Sequence, residues 1–197
     1  MRYFLASRRA AFSAILLCFA SPVAADECPS ASAGKGSFVV ERGPDSKTEV
    51  FYGNGANIVS VFGVRGQTVL ETTSYEGLFE LDRIDRGRRS VSKPRADLAK
   101  FFPLKPKQKI EVEFDVRQGD GDPVKSLVKL EVIGTDSLSI GACRYDVLKI
   151  QRDETGARQL FNVDYYAPAL KLIVAKEFKE RDGRPRLNKF DKIYPSL

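Results

Sequence analysis

The chain has 197 residues, with 32 basic and 26 acidic side chains and a formal charge of +6 at neutral pH. It carries three cysteines, one methionine, no tryptophan and no histidine. The lack of histidine removes Ser-His-Asp and Cys-His chemistry, histidine acid–base catalysis and the commonest zinc sites.

Arg2, Arg8 and Arg9 precede the apolar run Ala10 to Ala20. Pro22 then breaks the run, and Val23-Ala24-Ala25 supplies small residues. These are the parts of a secretory signal peptide, expected over residues 1–25 with cleavage after Ala25. The run falls short of the ~20 apolar residues that span a bilayer. Leu17 and Glu27 stand before Cys18 and Cys28, where a lipid-modified cysteine needs a small residue. The mature chain is therefore expected to be periplasmic, in a Gram-negative bacterium, with no transmembrane segment.

Three of the 32 basic residues lie in that leader. The remaining positive excess is small, and no nucleic-acid partner is expected. Cys28 and Cys143 remain. An even count in an oxidising compartment points to one disulfide, with two free buried thiols as the alternative. Residues 26–36 (D-E-C-P-S-A-S-A-G-K-G) read as a flexible leader before a single β-rich domain over 37–197.

Short alternating runs separated by turn residues fill that domain. Ser37 to Arg42 and Thr48 to Tyr52 come first, and Gly53-Asn54-Gly55 tolerates the positive φ of a hairpin turn. Asn57 to Phe62 and Thr68 to Tyr75 follow, divided at Gly63 to Gly66. Pro94 to Phe102 is the one stretch with helical character, opened by Pro94 and stopped by Pro103. From Lys109 to Arg117 the alternation is strict: Ile110, Val112, Phe114 and Val116 face one way, and Lys109, Glu111, Glu113, Asp115 and Arg117 the other. That is a strand with one wet face. Lys125 to Gly134, Arg144 to Arg152 and Arg158 to Tyr166 continue the pattern. Tyr165 and Tyr166 should point to opposite faces. Ala167-Pro168 breaks the pairing, and a strand over Leu170 to Phe178 leads into a last hairpin around Arg181 to Arg184. The fold expected is mainly β: a single-domain curved antiparallel sheet, half-barrel or barrel, with one short helix around 94–102.

Most chemical motifs dissolve on inspection. Asp120-Gly121-Asp122 lacks the further oxygen ligands of a calcium loop and suits a plain turn. Ser90-Val-Ser-Lys93 and Ser126-Leu-Val-Lys129 match an S-x-x-K spacing without the companion elements of penicillin-recognising enzymes. Glu111, Glu113 and Asp115 share a strand face, but nothing nearby would raise the pKa of one of them as glycan hydrolysis requires. No glycine-rich phosphate loop is present, and no cofactor or metal is expected.

Basic residues gather between Arg83 and Lys109. Arg83, Arg86, Arg88, Arg89, Lys93, Arg95, Lys105 and Lys107 form a candidate surface for anionic headgroups or polymers, or else the solvated flank of a short helix.

Phe101-Phe102-Pro103-Leu104 with the strand from Lys109 to Arg117 resembles the F-P-L element of exported proteobacterial envelope proteins of unknown function. Gly141 to Ile150, followed by Tyr165-Tyr166-Ala167-Pro168, resembles their glycine-led strand and aromatic-aromatic-[SA]-P element. The likeness spans roughly residues 75–193, without the glycine expected after F-P-L and with Tyr165 in place of a tryptophan. It implies a β-rich envelope component, distantly similar to the curved half-barrels of lipoprotein carriers, and no catalytic residues.

The expected function is a non-catalytic periplasmic protein that binds an apolar or amphiphilic ligand, a lipid or an envelope partner. Phe51, Phe62, Phe79, Phe114 and Phe161 are candidates to line its pocket, although a filled core needs the same residues. A carboxylate-based cell-wall glycan hydrolase and an anionic-polymer-binding module are the alternatives.

Overall fold

A computed structural model describes residues 28–31, 36–180 and 182–196. The signal-peptide segment 1–25 and most of the 26–36 leader lie outside the described residues. The described chain is one antiparallel sheet of thirteen strands. In order these are β1 (Ser37–Arg42), β2 (Ser46–Tyr52), β3 (Asn57–Val64), β4 (Gln67–Tyr75), β5 (Phe79–Asp85) and β6 (Arg88–Pro94). Then follow β7 (Lys109–Gln118), β8 (Val124–Ile140), β9 (Cys143–Thr155), β10 (Leu160–Ala167), β11 (Leu172–Lys179), β12 (Pro185–Lys189) and β13 (Lys192–Pro195).

Each strand from β1 to β12 pairs with its successor, and β13 returns to pair with β1. Only Phe190 and Asp191 separate β12 at one edge from β13 at the other. Two residues reach less than ~11 Å, so the sheet must curve until its edges nearly meet. The change of partner falls at that link: Phe190 N–H donates to Val174 O of β11, and Asp191 N–H donates to Glu41 O of β1. No ladder joins β12 to β13, so the curved sheet is not closed by pairing.

The strict alternation of β7 is realised as expected, with Ile110, Val112 and Phe114 buried and Lys109, Glu111 and Glu113 exposed. The short helix expected around 94–102 shrinks to a single 3-10 turn, Leu98–Phe101, the one helical element among the described residues besides an isolated 3-10 position at Ala31. Pro94 belongs to β6, opposite Phe114, which leaves little chain for a longer helix. Asp97 caps the turn by accepting from Ala99 N–H.

Buried side chains form two clusters. The first joins Phe38, Val40, Val50 and Ile58 to Val147, Tyr165, Leu170 and Val174; the second joins Phe79, Phe114, Val128, Leu130, Ile150 and Tyr166. Successive residues of a strand point to opposite faces, so Tyr165 in the first cluster and Tyr166 in the second mean that β10 is covered on both sides. A bulge in β8 lets it serve both cores. Val132 lies opposite Ile150, but Gly134 lies opposite Lys149, so Ile133 is the extra residue. Beyond it the even positions of β8 meet odd positions of β9, and Ile140 joins the first cluster while Val128 and Leu130 stay in the second.

The turn between β4 and β5 rests on the turn between β10 and β11. Tyr166 Oη donates to Glu76 O at 2.9 Å, and Lys171 Nζ meets Glu76 Oε1 at 2.8 Å. Gly77 permits this approach. Its φ is +66°, and a Cβ there would lie 1.7 Å from Lys171 O, an overlap no side-chain movement could relieve.

Cys28 and Cys143 form a disulfide with a Cα–Cα distance of 5.6 Å, within the usual range. Around it Tyr145 Oη donates to Pro29 O at 3.1 Å, and Ala31 N–H donates to Ala169 O at 2.6 Å. Residues 28–31 are thus fastened over the starts of β9 and of the β10–β11 turn.

Candidate functional site

A cavity of about 640 Å³ opens beside the second cluster, walled by β5 to β9 and the turn after β9. This lies within the ~300–1,000 Å³ typical of small-ligand sites. Phe79, Phe114, Val116 and Val128 supply its apolar wall. Five arginines, Arg83, Arg88, Arg89, Arg152 and Arg158, and three carboxylates, Glu80, Asp85 and Glu154, supply its charge.

Strand parity places these groups. On β7 the inward set Ile110, Val112, Phe114 and Val116 continues the strict alternation, so its last two members reach the cavity. On β5 the register shifts: Thr73 lies opposite Asp82 and Ser74 opposite Glu80, which leaves Leu81 unpaired. This bulge lets Glu80 and Arg83, three residues apart, share the cavity wall, where they approach to 3.5 Å. Asp85 follows two positions later and receives Arg83 Nη2 at 2.8 Å. That hydrogen bond, with the charges of Arg83, Arg86 and Arg88, outweighs desolvation and holds the Asp85 carboxyl below its ordinary range.

The deep end of the cavity is polar and buried. On β9 the inward positions after Ile150 are Arg152 and Glu154; on β10 Asn162 lies opposite Arg152, and Asp164 lies opposite Ile150. All four are at least nine-tenths buried, and Asp164 is 0% exposed. Arg152 Nε donates to Asp164 Oδ2 at 2.6 Å, and its Nη2 donates to Leu78 O at 2.8 Å, which fixes the start of β5. Asn162 Nδ2 donates to Asp164 Oδ1, and Lys176 Nζ lies 3.4 Å from the same oxygen. Burial alone would raise the Asp164 pKa, but Arg152, Lys176 and these hydrogen bonds outweigh it and hold the group low.

Arg158 Nε donates to Glu154 Oε1 at 2.6 Å, and its Nη1 lies 3.3 Å from Glu80 Oε1. Desolvation disfavours the Arg158 charge, yet Glu154 and Glu80 more than restore it. Glu154 Oε2 accepts no hydrogen bond, and Arg152 Nη1 stands 4.0 Å from it. Opposite charges and hydrogen bonds thus tie this set together, an arrangement suited to holding a polar group in place.

The residues singled out from sequence are divided by the fold. Phe79 and Phe114 line the cavity. Phe62 lies half-buried on β3, while Phe51 and Phe161 are 37% and 55% exposed away from it. Of the basic group, Arg83, Arg88 and Arg89 reach the cavity. Arg86 sits in the β5–β6 turn with φ 47°. Lys93 is exposed near the end of β6, and Lys105 and Lys107 are exposed in the loop before β7. Arg95 is held by Asp115, with Nη2 to Oδ1 at 2.6 Å.

The candidate carboxylates of β7 lie on its outer face. Glu111 pairs with Lys129 at 3.5 Å, and Glu113 with Arg95 at 3.8 Å. The Asp115 pKa is lowered by its hydrogen bond from Arg95, the opposite direction from a general acid. Among the described residues no cluster of three metal-ligating side chains occurs, and no helix is long and apolar enough to cross a membrane.

Arg152, Glu154 and Arg158 have no counterpart in the sequence reading. A signal was available: the inward face of β9 passes from Ile150 to Arg152 and Glu154, and the matching face of β10 carries Asn162 and Asp164. Polar and charged residues on the inward faces of both strands of one hairpin mark a buried polar site.

No family model matches the chain, and no curated protein is similar to it. Among solved structures it is similar to the hypothetical lipoprotein YmcC of Escherichia coli (K12), at 11% identity and a TM-score of 0.47. The match covers 80% of this chain and 84% of that one.

Proposed function

We propose that this chain is a non-catalytic, exported envelope protein that binds an amphiphilic ligand in the cavity between β5 and β9. One observation carries the reading: an apolar wall of Phe79, Phe114, Val116 and Val128 stands beside a charged rim in a cavity of small-ligand size. Phe79, Phe114 and Val128 belong to the packed second cluster, so the cavity floor is the surface of a core, with half-buried Val116 its most open member. The disulfide supports an oxidising compartment, in keeping with the signal-like N-terminal sequence. The charged groups around the cavity act as fixed partners for a bound head rather than as acids or bases.

Val116 is half-buried on the cavity wall, so Val116→Trp should fill the space with little cost to the core. The expected result is that a neutral apolar dye, phenylnaphthylamine, binds the unmodified protein and loses at least about tenfold in affinity in the variant, since cavity contact drives its binding. Far-ultraviolet circular dichroism and the melting temperature should stay close to those of the parent. Equal dye binding by the two proteins would place the apolar site elsewhere and defeat the reading.

A further inference from the structure

We infer that the ligand is an anionic amphiphile: one apolar chain against the phenylalanine wall, ending in a phosphate or carboxylate head held by Arg88 with Arg83, Arg89 and Arg158. This deepens the amphiphile-binding reading and rests on it.

The charges of the cavity wall balance in number but not in pairing. Five arginines and three carboxylates line it, and Asp82 and Asp164 behind it bring the carboxylates to five. Arg83 is committed to Asp85 and Glu80, Arg158 to Glu154 and Glu80, and Arg152 to Asp164. Arg89 uses Nε and Nη2 on Asp82. Arg88 has no carboxylate within ion-pair distance among the described residues, although Asp85 feels its field. The mouth therefore holds one fully uncommitted guanidinium. Around it Arg83 Nε, Arg89 Nη1 and Arg158 Nη2 make no hydrogen bond to the described protein.

The identity of the cations sharpens the class. Every cation lining the cavity is arginine and none is lysine, in a chain that has many of both. The planar guanidinium fork matches the paired oxygens of carboxylate and phosphate, which a point-charge ammonium does not. The carboxylates that hold Arg83, Arg89 and Arg158 also restrict their rotamers, so less ordering is needed when the head arrives. A cationic head would meet Arg88 unscreened. A free anion would leave the apolar wall unused, and the cavity size suits a single chain better than a diacyl lipid.

The test measures displacement of phenylnaphthylamine from lipid-free mature protein, using amphiphiles of equal chain length below their micelle concentrations. Dodecyl phosphate and laurate are expected to displace the dye at about tenfold lower concentration than dodecyl phosphocholine, the scale of one or two charge-assisted hydrogen bonds. Inorganic phosphate should not displace it. Arg88→Ala should remove most of the preference. Lys105→Ala, which deletes one charge from the exposed loop outside the cavity, should leave it unchanged. Equal displacement by phosphate and phosphocholine forms, with the dye still bound, would overturn the anionic head and leave the amphiphile reading standing. Displacement by inorganic phosphate alone would overturn the requirement for a chain. Failure of the dye and of every amphiphile to bind would defeat both.

Discussion

Replacing Asp164 by alanine is expected to destabilise the protein by about 3–5 kcal/mol, the cost of leaving a buried charge unpaired. Asp164 has no exposed surface, and its partner Arg152 is 4% exposed. The variant strands the Arg152 guanidinium with Glu154 as its nearest carboxylate, Oε2 standing 4.0 Å from Nη1, and leaves Asn162 and Lys176 without their shared acceptor. The intact pair is not thereby a large net source of stability, because desolvating two ions offsets most of their attraction. An apolar double variant of similar total volume, Arg152→Met with Asp164→Val, should recover more than half of the loss.

The pH dependence follows from the same group. The Asp164 pKa in the folded protein is held below its ordinary value of 3.8. Its contribution is therefore complete above that value and is lost as pH falls through the lower folded pKa. Urea denaturation between pH 6 and pH 2, in steps of about one unit, should show an acid limb that becomes shallower in Asp164→Asn. A cost below about 1 kcal/mol for Asp164→Ala would show that the pair is solvated and peripheral.

Removing the disulfide should have the next largest effect. Cys28 and Cys143 are 115 residues apart, and the chain-entropy model gives about 5 kcal/mol for a loop of that length, with about 2–5 kcal/mol usual in practice. The bond also holds residues 28–31 where Tyr145 and Ala169 bind their backbone. Cys143 belongs to the first cluster, whereas the cavity borders the second. The Cys28→Ser, Cys143→Ser double variant should accordingly melt earlier yet bind dye with unchanged affinity below its transition. Identical denaturation midpoints with and without dithiothreitol would show that the crosslink adds nothing to the fold.

Where one strand face is apolar and the other charged, the fold was legible in advance. β7 needed only its alternation, and β1 to β4 were marked by turns at Gly53 to Gly55 and Gly63 to Gly66. Two strands went unread, β5 and β6, because their cavity side carries Arg83, Asp85, Ser90 and Ser92 instead of apolar residues. A search for apolar period-two runs passes over such a surface, although Arg86-Gly87, with φ values of 47° and 80°, makes a two-residue hairpin turn. The end of β8 was lost at Gly134 for a different reason. The bulge at Ile133 turns the even positions from one core to the other, and no local pattern announces it.

The site was legible in fragments. The arginine cluster and two of the phenylalanines were visible, but as separate candidates for a surface patch and a pocket. Pairing β6 with β7 and curving the sheet brings them together, a consequence of topology rather than of any segment. Arg152 and Arg158 arrive from some 70 residues further along the chain, carried by β9 and the turn that follows it. Tyr165 and Tyr166 do point to opposite faces, and each is absorbed by a different core.

The central claim, that the cavity is occupied by an amphiphile, is tested most directly by native mass spectrometry of the protein isolated from its own envelope in the oxidised form. The account predicts one single-chain anionic amphiphile bound per chain, absent from Val116→Trp purified in the same way. A spectrum showing only the bare chain, or the same adduct on the Val116→Trp variant, would contradict it.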